Sequence, residues 1–359
     1  MHSLMRRAWV DVDLGALLRN GTALAARANV PLLPMVKADA YGLGAERISR
    51  TLERLDPWGF GVATVAEAEE LRAIVITRPI VIFTPLLPGD FDAAIRANLT
   101  PSLSDTAAIV RWAETGRPWQ LAIDTGMSRA GIRWDEIDCL LDAVTANPPQ
   151  GAYTHFHSAE KNDESRALQQ DRFASALARL PVRPAMIHAE NSPAIEHRGP
   201  SPWTVARPGI FLYGVGSGHS AEIVPEPVVS LRARVVDIRT VRDGETVSYA
   251  GTYRADGDRR VATLAIGYGD GYRRALSNRG SVLVAGTRVP VVGNVTMDMT
   301  MIDVTDVACG VGDVATLIGA DGDDRIDVSE VAAFAELSPY EVLTSLRGRL
   351  PRRYLGAPE

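Results

Sequence analysis

The stretch PLLPMVKADAYGLGAERISRTLERLDPWGFGVAT, residues 31–64, reads as strand, helix, strand. In AERISRTLERL (45–55) the apolar residues Ile48, Leu52 and Leu55 fall three and four apart, the period of an amphipathic helix. The flanking PLLPMVK (31–37) and WGFGVAT (58–64) are short, apolar and punctuated by Pro or Gly, as buried strands are. Outward from this unit the alternation continues. PIVIFTP (79–85), LTPSLS (99–104), WQLAIDT (119–125), GAYTHFHS (151–158), PAMIHAENS (184–192) and TVARPG (204–209) bring the strand-like runs to eight. Helix-like VAEAEELRAIV (65–75), DTAAIVRWAET (105–115), DEIDCLLDAV (135–144) and ESRALQQDRFASALARL (164–180) lie between them. Eight βα units over roughly 200 residues suit a (β/α)8 barrel, where an open doubly wound sheet would more usually have five to seven strands.

Beyond about residue 225 the rhythm changes to strands without helices between them: VVSLRARVVDIRTV (228–241), ETVSYAGTY (245–253), RVATLAIGY (260–268), SVLVAGTRVPVVG (281–293) and MTMIDVTD (299–306). One late amphipathic helix is expected in DVSEVAAFAEL (327–337). The fold class is therefore α/β: a TIM-type barrel over 9–222, followed by a mostly-β domain over 223–359. The boundary runs through GVGSGHS (214–220) and VPEPV (224–228). A length of 359 residues agrees with two domains at ~150 each.

A net charge of −6 without a block of consecutive basic residues gives no electrostatic footprint for nucleic acid or an anionic membrane. Cys139 and Cys309 form no CxxC pair, which suits a reducing, cytoplasmic setting and offers no zinc knuckle. The N-terminal MHSLMRRAWVDVD lacks an apolar core for export, and the most apolar stretch, 79–88, is broken by prolines. A small molecule is the expected partner.

Barrels carry their chemistry at the C-terminal ends of the strands. Those ends supply Lys37, Thr64, Thr84, Ser104, Asp124 to Arg129, His155 and His157, Asn191 and Ser192, and Arg207 to Gly209. Of the 38 basic residues only Lys37 and Lys161 are lysines, so amine chemistry has two candidates. Lys161, in the polar SAEKNDES, reads as surface. An apolar setting for Lys37 disfavours its ammonium, which suits an imine-forming amine; the competing reading is a lysine whose head escapes to a surface ion pair. His155 and His157, two apart, would share a strand face and, with Glu160 or His188, form a zinc site; the competing reading is hydrogen-bonded site or core histidines. ARPGIFLYG (206–214) suits a phosphate bound on backbone N–H groups, or a tight turn with no ligand. Arg129 is either a carboxylate clamp or a surface arginine. Tyr249, Tyr253, Tyr268 and their neighbours stand beside turns in the second domain, a density of aromatics that packing alone also produces.

Taken together, PMVKADAYGLG (34–44), DTGMSRAG (124–131), YTHFHSAE (153–160), HAENSPA (188–194), ARPGIFLYG (206–214), SYAGTY (248–253), AIGYGDGY (265–272) and VGNVTMDMTMIDV (292–304) resemble the alanine racemases. The motifs run in order from near residue 9 to the C-terminus. The resemblance implies a pyridoxal 5'-phosphate enzyme of the barrel-plus-β-domain type. It would interconvert L- and D-alanine, supply D-alanine for peptidoglycan precursors, and work as a head-to-tail homodimer with shared active sites. The strand AWVDVDL (8–14) would join the β-domain. Lys37 would carry the cofactor as an imine and serve as one acid/base; Tyr249 of the other subunit would serve as the second, from the opposite face. Racemisation takes the α-proton from one side and returns one to the other, which calls for two groups.

By the same resemblance His155 and Arg207 form a hydrogen-bonded chain that assists the tyrosine, and Arg207 faces the pyridine nitrogen. A guanidinium does not hand over its proton, so that nitrogen stays unprotonated and the ring is a weaker electron sink. Tyr41, Ser192 and the N–H groups of Gly209 and Ile210 would hold the phosphate, with Asn191 beside them. Arg129 and the Met297 N–H of the other chain would hold the substrate carboxylate, with Tyr268 and Asp298 lining the entrance or pocket. No metal is implied. Three positions depart from the family pattern: Ala122 stands where many members carry a lysine near the arginine, Gly348 where some carry a phosphate-binding tyrosine (Tyr354 is not its equivalent), and Thr296 where some have cysteine. Alternatives are a racemase of the same fold acting on another small amino acid such as serine, a related decarboxylase, and a pyridoxal-phosphate homeostasis protein. Arg207 speaks against the second and the β-domain against the third.

Overall fold

The structure, a computed structural model, describes residues 6–356 apart from 162, 219 and 347; His2, His219 and residues 357–359 lie outside the described residues. The N-terminal half is a parallel β/α barrel. Phe60–Val62, Ile80–Ile82, Thr100–Leu103, Gln120–Asp124, Gly151–Tyr153 and Met186–His188 pair in that order, every pair parallel, with Ile132–Arg133 beside Gln120–Asp124. Helices Val65–Ala73, Phe91–Arg96, Thr106–Ala113, Leu141–Ala146, Ser165–Arg179 and Ser192–Arg198 form the outer layer. The strands are buried at nearly every position, which is why they read as continuous apolar runs rather than alternating ones.

The first and eighth expected runs differ from the others. Neither 31–37 nor 204–209 forms a ladder; each contributes single bridges, Leu32 to Ala206 and Met35 to Gly61. The cause is proline. Pro31, Pro34 and Pro208 have no N–H to donate, so a continuous ladder is impossible there. Their carbonyls still accept, and the ring closes through Met35 N–H to Pro208 O at 2.8 Å, Leu33 N–H to Ala206 O at 2.8 Å and Gly61 N–H to Pro34 O at 2.9 Å. Lys37 and Arg207 leave this proline-rich seam from neighbouring positions.

In the C-terminal half, the 13-residue strand Val229–Val241 organises a nine-stranded sheet. Its first half lies between Ala8–Asp13 and Val314–Asp321, and its second half pairs with Arg259–Leu264. Ala8–Asp13 also pairs, in parallel, with Arg352–Leu355, so both ends of the described chain meet in this sheet. The buried Asp11 carboxylate ties the three strands together, 2.6 Å from Arg353 and 3.1 Å from Arg232. One contiguous apolar core runs from barrel residues such as Leu17 and Phe60 to sheet residues such as Leu231 and Leu283.

Several elements depart from the sequence expectation. The run 245–253 is not one strand: Thr246–Val247 and Tyr253–Arg254 form a short hairpin around a turn at 249–251. Ser248 and Ala250 have φ of 66° and 62° there, and the Asn294 side chain donates to Tyr249 O at 2.7 Å, pinning the turn. The late helix spans Val328–Ala335 and is followed by a second, Pro339–Ser345, capped by a reciprocal Ser338–Glu341 box. Helix Leu14–Ala28, capped by Asp13, and strands Val314–Asp321 and Arg352–Leu355 were not anticipated.

Candidate active site

Immediately after Lys37 the chain makes a left-handed helical turn. Ala38, Asp39, Ala40 and Tyr41 all have φ between 51° and 57°. For L-residues this costs about 1–2 kcal/mol each, so the surroundings must hold it. Glu67 Oε1 accepts the Ala38 N–H at 2.8 Å while Oε2 accepts the Ala63 N–H at 2.7 Å, fixing the turn to the end of the Phe60–Val62 strand. Asp39 Oδ1 accepts the Ala45 N–H at 2.7 Å, and Arg352 Nε donates to Gly42 O at 3.1 Å. Helix Pro339–Ser345 closes over the turn so tightly that a Cβ on Gly42 would lie 2.6 Å from Leu343 O.

The turn delivers Lys37 and Tyr41 into a cavity of about 330 Å³ at the C-terminal ends of the barrel strands. The same cavity is lined by Arg129, His155, Asn191, Ser192, Arg207, Gly209 and Ile210, so the nine barrel residues that the family resemblance points to meet in one place, whereas Thr64, Thr84, Ser104 and His157 do not line it. Three cations face it. Arg129 makes no ion pair or hydrogen bond among the described residues, and Ala122 contributes only a methyl group beside it. The Asp124 carboxylate on the same wall is occupied by the N–H groups of Gly126 and Ser128, at 2.9 and 3.0 Å. Burial first, and Arg129 second, hold the Lys37 amine below the usual lysine range, with Glu67 opposing them.

Arg207 is 4 % exposed and has no carboxylate in ion-pair range among the described residues. Its terminal nitrogens donate to Thr154 O at 2.7 Å, His188 O at 2.8 Å, His188 Nδ1 at 2.6 Å and, more loosely, His155 Nδ1 at 3.5 Å. Nε–H has no partner among the described residues and remains available to a ligand. Burial lowers this guanidinium to about 10, opposed by Tyr153 and Glu190, and leaves it cationic at neutral pH. Arg207 sits over the rings of Tyr153 and Phe83, at 5.2 and 5.5 Å from their centroids.

Of the partners of Arg207 only His155 was named from the sequence; His188, and Gln120 behind it, were not. Because Arg207 donates to His188 Nδ1, the His188 proton lies on Nε2, which donates to Gln120 Oε1 at 3.2 Å. His188 is thus engaged inside the barrel and is not a metal ligand. His155 and His157 do not share a strand face either, since that strand ends at Tyr153; His157 is exposed and bonds Ser158. His155 is pushed down to about 3, by burial first and then by Arg207, Arg129 and Lys37, so it stays neutral. Among the described residues no group of three His, Cys, Asp or Glu side chains is placed to hold a metal ion.

At the other end of the cavity, Ser192 Oγ accepts the Gly209 N–H at 2.9 Å. The Tyr41 hydroxyl has no partner among the described residues, and a Cβ on Gly209 would lie 2.5 Å from it. The glycine therefore leaves open a small cradle bounded by two hydroxyls and the Ile210 N–H, which suits a phosphate. Tyr249, Tyr268, Met297 and Asp298 do not line this cavity. They lie on the β-domain, with Tyr249 73 %, Met297 53 % and Tyr268 42 % exposed. Asp298 is paired with Arg349 at 2.7 Å.

Glu67 is testable at once. Glu67→Gln removes the carboxylate that opposes the depression of Lys37, so in cofactor-free protein the pH profile of Lys37 labelling by an amine reagent should move to lower pH. Weakening the Thr64 cap should also cost about 1 kcal/mol of stability. An unmoved labelling profile would contradict this account of the turn.

Family models described as "Alanine racemase, N-terminal domain" and "Alanine racemase, C-terminal domain" match residues 12–217 and 228–354. The chain is 38% identical to an alanine racemase of Deinococcus radiodurans, over 98% of this chain and 99% of that one. It is 37% identical to one of Geobacter sulfurreducens, over 96% of each. Among solved structures, alanine racemase from Bacillus anthracis with bound L-Ala-P superposes with a TM-score of 0.91 at 32% identity, covering 98% of this chain and 96% of that one. Alanine racemase from Bartonella henselae with covalently bound pyridoxal phosphate superposes with a TM-score of 0.90 at 29% identity, covering 97% and 99%.

Proposed function

The chain belongs to the alanine racemase family, and from that premise we propose that it interconverts L- and D-alanine with pyridoxal 5'-phosphate seated in the barrel cavity, by proton transfer between Lys37 and Tyr249 of the partner subunit. The observation that carries the reading is the arrangement inside that cavity. A lysine with a depressed amine, an arginine unpaired and a buried arginine with its Nε–H unpartnered among the described residues, and a two-hydroxyl cradle all face one space of about 330 Å³.

These residues fit the cofactor by their chemistry. Lys37 offers the amine, Tyr41, Ser192 and Ile210 N–H offer donors to the phosphate, and Arg207 Nε–H offers a donor to the ring nitrogen. When bound, the cofactor supplies an electron sink that makes the α-proton of the amino acid removable. Lys37 then holds or moves a proton at Nζ on one face. Arg207, held by carbonyls and His188, keeps its own protons and limits how far charge is drawn into the ring, which disfavours side reactions such as transamination. Arg129, without a partner among the described residues, clamps the substrate carboxylate.

The second acid/base group must come from the opposite face; the tyrosines lining this chain's own cavity are Tyr41 and Tyr153, both buried, and the exposed Tyr340 of the C-terminal helix. Tyr249 instead stands exposed on its pinned turn, next to exposed Met297, Met299 and Tyr268. A contiguous exposed patch of this kind supports coverage by a second copy, whose cavity it would complete. Among the described residues no helix is long and apolar enough to cross a membrane.

The purified chain with cofactor should convert either enantiomer of alanine to the same equal mixture, and borohydride reduction should fix the cofactor to Lys37 alone. Preference for serine or another amino acid over alanine would overturn the substrate assignment. Fixation at Lys161 would overturn the site.

A further inference from the structure

We propose that Gln169, on the outer helix Ser165–Arg179, is a positioning residue for substrate: its buried amide locks the loop that carries Arg129 to the strand end that carries His155, and so sets where the substrate carboxylate is held. Gln169 is 1 % exposed and does not itself line the cavity. Its amide lies where the barrel's own hydrogen bonding runs out. The ladder between Gln120–Asp124 and Gly151–Tyr153 stops at Ala122 and Tyr153, after which Ile123 and Asp124 pair with Ile132 and Arg133 instead. Beyond Tyr153 the amide takes over. Gln169 Nε2 donates to His155 O at 3.0 Å, and Oε1 accepts the His157 N–H at 3.1 Å. A residue in a parallel ladder makes the same pair of bonds, to the carbonyl before and the N–H after the residue opposite it, which here is the buried Phe156. Because one neighbour is a carbonyl and the other an N–H, only one orientation of the amide satisfies both.

The second Nε2 proton fixes the other loop. It goes to Thr125 Oγ1 at 3.1 Å, and that hydroxyl lies 2.7 Å from Thr154 Oγ1. One turn along the same helix, Arg172 donates to Thr125 O at 2.9 Å, so residue 125 is held by its hydroxyl and by its carbonyl. Thr154 O in turn accepts from Arg207 at 2.7 Å. The amide therefore stands between the two arginines of the cavity and sets the spacing of the strand ends that carry them. Arg129 depends on this support because it has no ion pair or hydrogen bond of its own among the described residues, and Ala122 beside it offers only a methyl group. Its guanidinium is placed by its backbone, and that backbone is anchored at Thr125 and by Asp124 Oδ1, which accepts the N–H groups of Gly126 and Ser128. A buried network with every member paired transmits such placement rigidly, and one lost member loosens it.

The inference rests on the racemase reading above, and the test separates the two. Thr125→Val keeps the side-chain shape and removes only the hydroxyl that joins Gln169 to the Arg129 loop. Gln169→Glu keeps the acceptor for the His157 N–H and puts an oxygen where the donor to Thr125 and His155 O was. In the holoenzyme, KM for alanine and the inhibition constant of propionate, a carboxylate without the amine, should rise about tenfold in Gln169→Glu and about threefold in Thr125→Val, with a smaller change in kcat. Thr125→Ser, which restores the hydroxyl, should return both to within about twofold of wild type. In cofactor-free chain the backbone amides of 126–130 should exchange with deuterated water faster in Thr125→Val than in wild type. Should Gln169→Glu not fold, Thr125→Val decides alone. Unchanged KM, propionate inhibition and amide exchange in Thr125→Val would overturn the proposal, and so would a fall in kcat with KM unchanged, the mark of a merely structural defect. If the wild-type chain neither racemised alanine nor bound propionate, the racemase reading would fall and this proposal with it.

Discussion

Lys37→Ala should lower alanine racemisation by about 10⁴-fold or more while leaving the cofactor-free chain as stable as wild type, or more so. The two halves of that expectation have one cause. The Lys37 side chain makes no hydrogen bond or ion pair among the described residues, so truncation removes no native contact of that kind. Its amine is held below the usual lysine range, by burial first and by Arg129 second. A depressed pKa means the ammonium is disfavoured in the folded state relative to the unfolded one, so at neutral pH folding carries a cost that alanine removes. Activity, by contrast, would lose both the covalent anchor and one acid/base group under the proposed function. Lys37→Arg should fare no better, because a guanidinium forms no imine and does not give up a proton. Turnover in both directions and thermal unfolding of cofactor-free protein check the pair. Retention of a few per cent of activity by Lys37→Ala, or redirection of the cofactor to the exposed Lys161, would refute the assignment.

The barrel was legible because its strands are buried on both faces and its helices are amphipathic, so apolar runs and helical periods alternate visibly. What the pattern could not show was the seam. Pro31, Pro34 and Pro208 keep the residues around Leu32 and Ala206 apolar, which is what a strand reading detects, yet deny them a ladder. The site was legible for a similar reason: Lys37, Arg129, His155 and Arg207 end their runs, and a barrel gathers such ends. The supporting polar residues lie elsewhere. Gln120 begins its strand, deep in the barrel, and nothing in WQLAIDT marks it as the acceptor behind His188. Glu67 looked like part of an ordinary helix start, and its second oxygen, which holds the left-handed turn at Ala38, depends on a contact 29 residues away. Tyr340 had a readable local signal, Ser-Pro-Tyr-Glu as a capped helix start, but which barrel wall that helix covers is set by tertiary packing alone.

The proposed completion of the cavity by a second copy can be measured by mixing two dead variants. Tyr249→Phe should reduce racemisation by about 10²–10⁴-fold, the usual weight of one positioned acid/base group. The fold should survive, because the turn is held by backbone contacts: Asn294 Nδ2 to Tyr249 O at 2.7 Å and Ser248 Oγ to Asn294 O at 2.7 Å. In deuterated water the variant should still exchange the α-proton of one enantiomer without inverting it, since Lys37 can remove and return a proton on its own face. Unchanged turnover in both directions would leave Tyr249 without a role. If Tyr249 serves the partner's cavity, a dimer of one Lys37→Ala chain and one Tyr249→Phe chain has one site lacking both groups and one site with both intact. Random exchange of equal amounts makes about half the dimers mixed, so about a quarter of wild-type activity should return. A site built within one chain predicts no recovery, because each subunit would carry its own defect whatever its neighbour. Dilution adds an independent reading: if the completed cavity belongs to the dimer, specific activity must fall as the protein dissociates, and full activity of a demonstrated monomer would exclude the shared site.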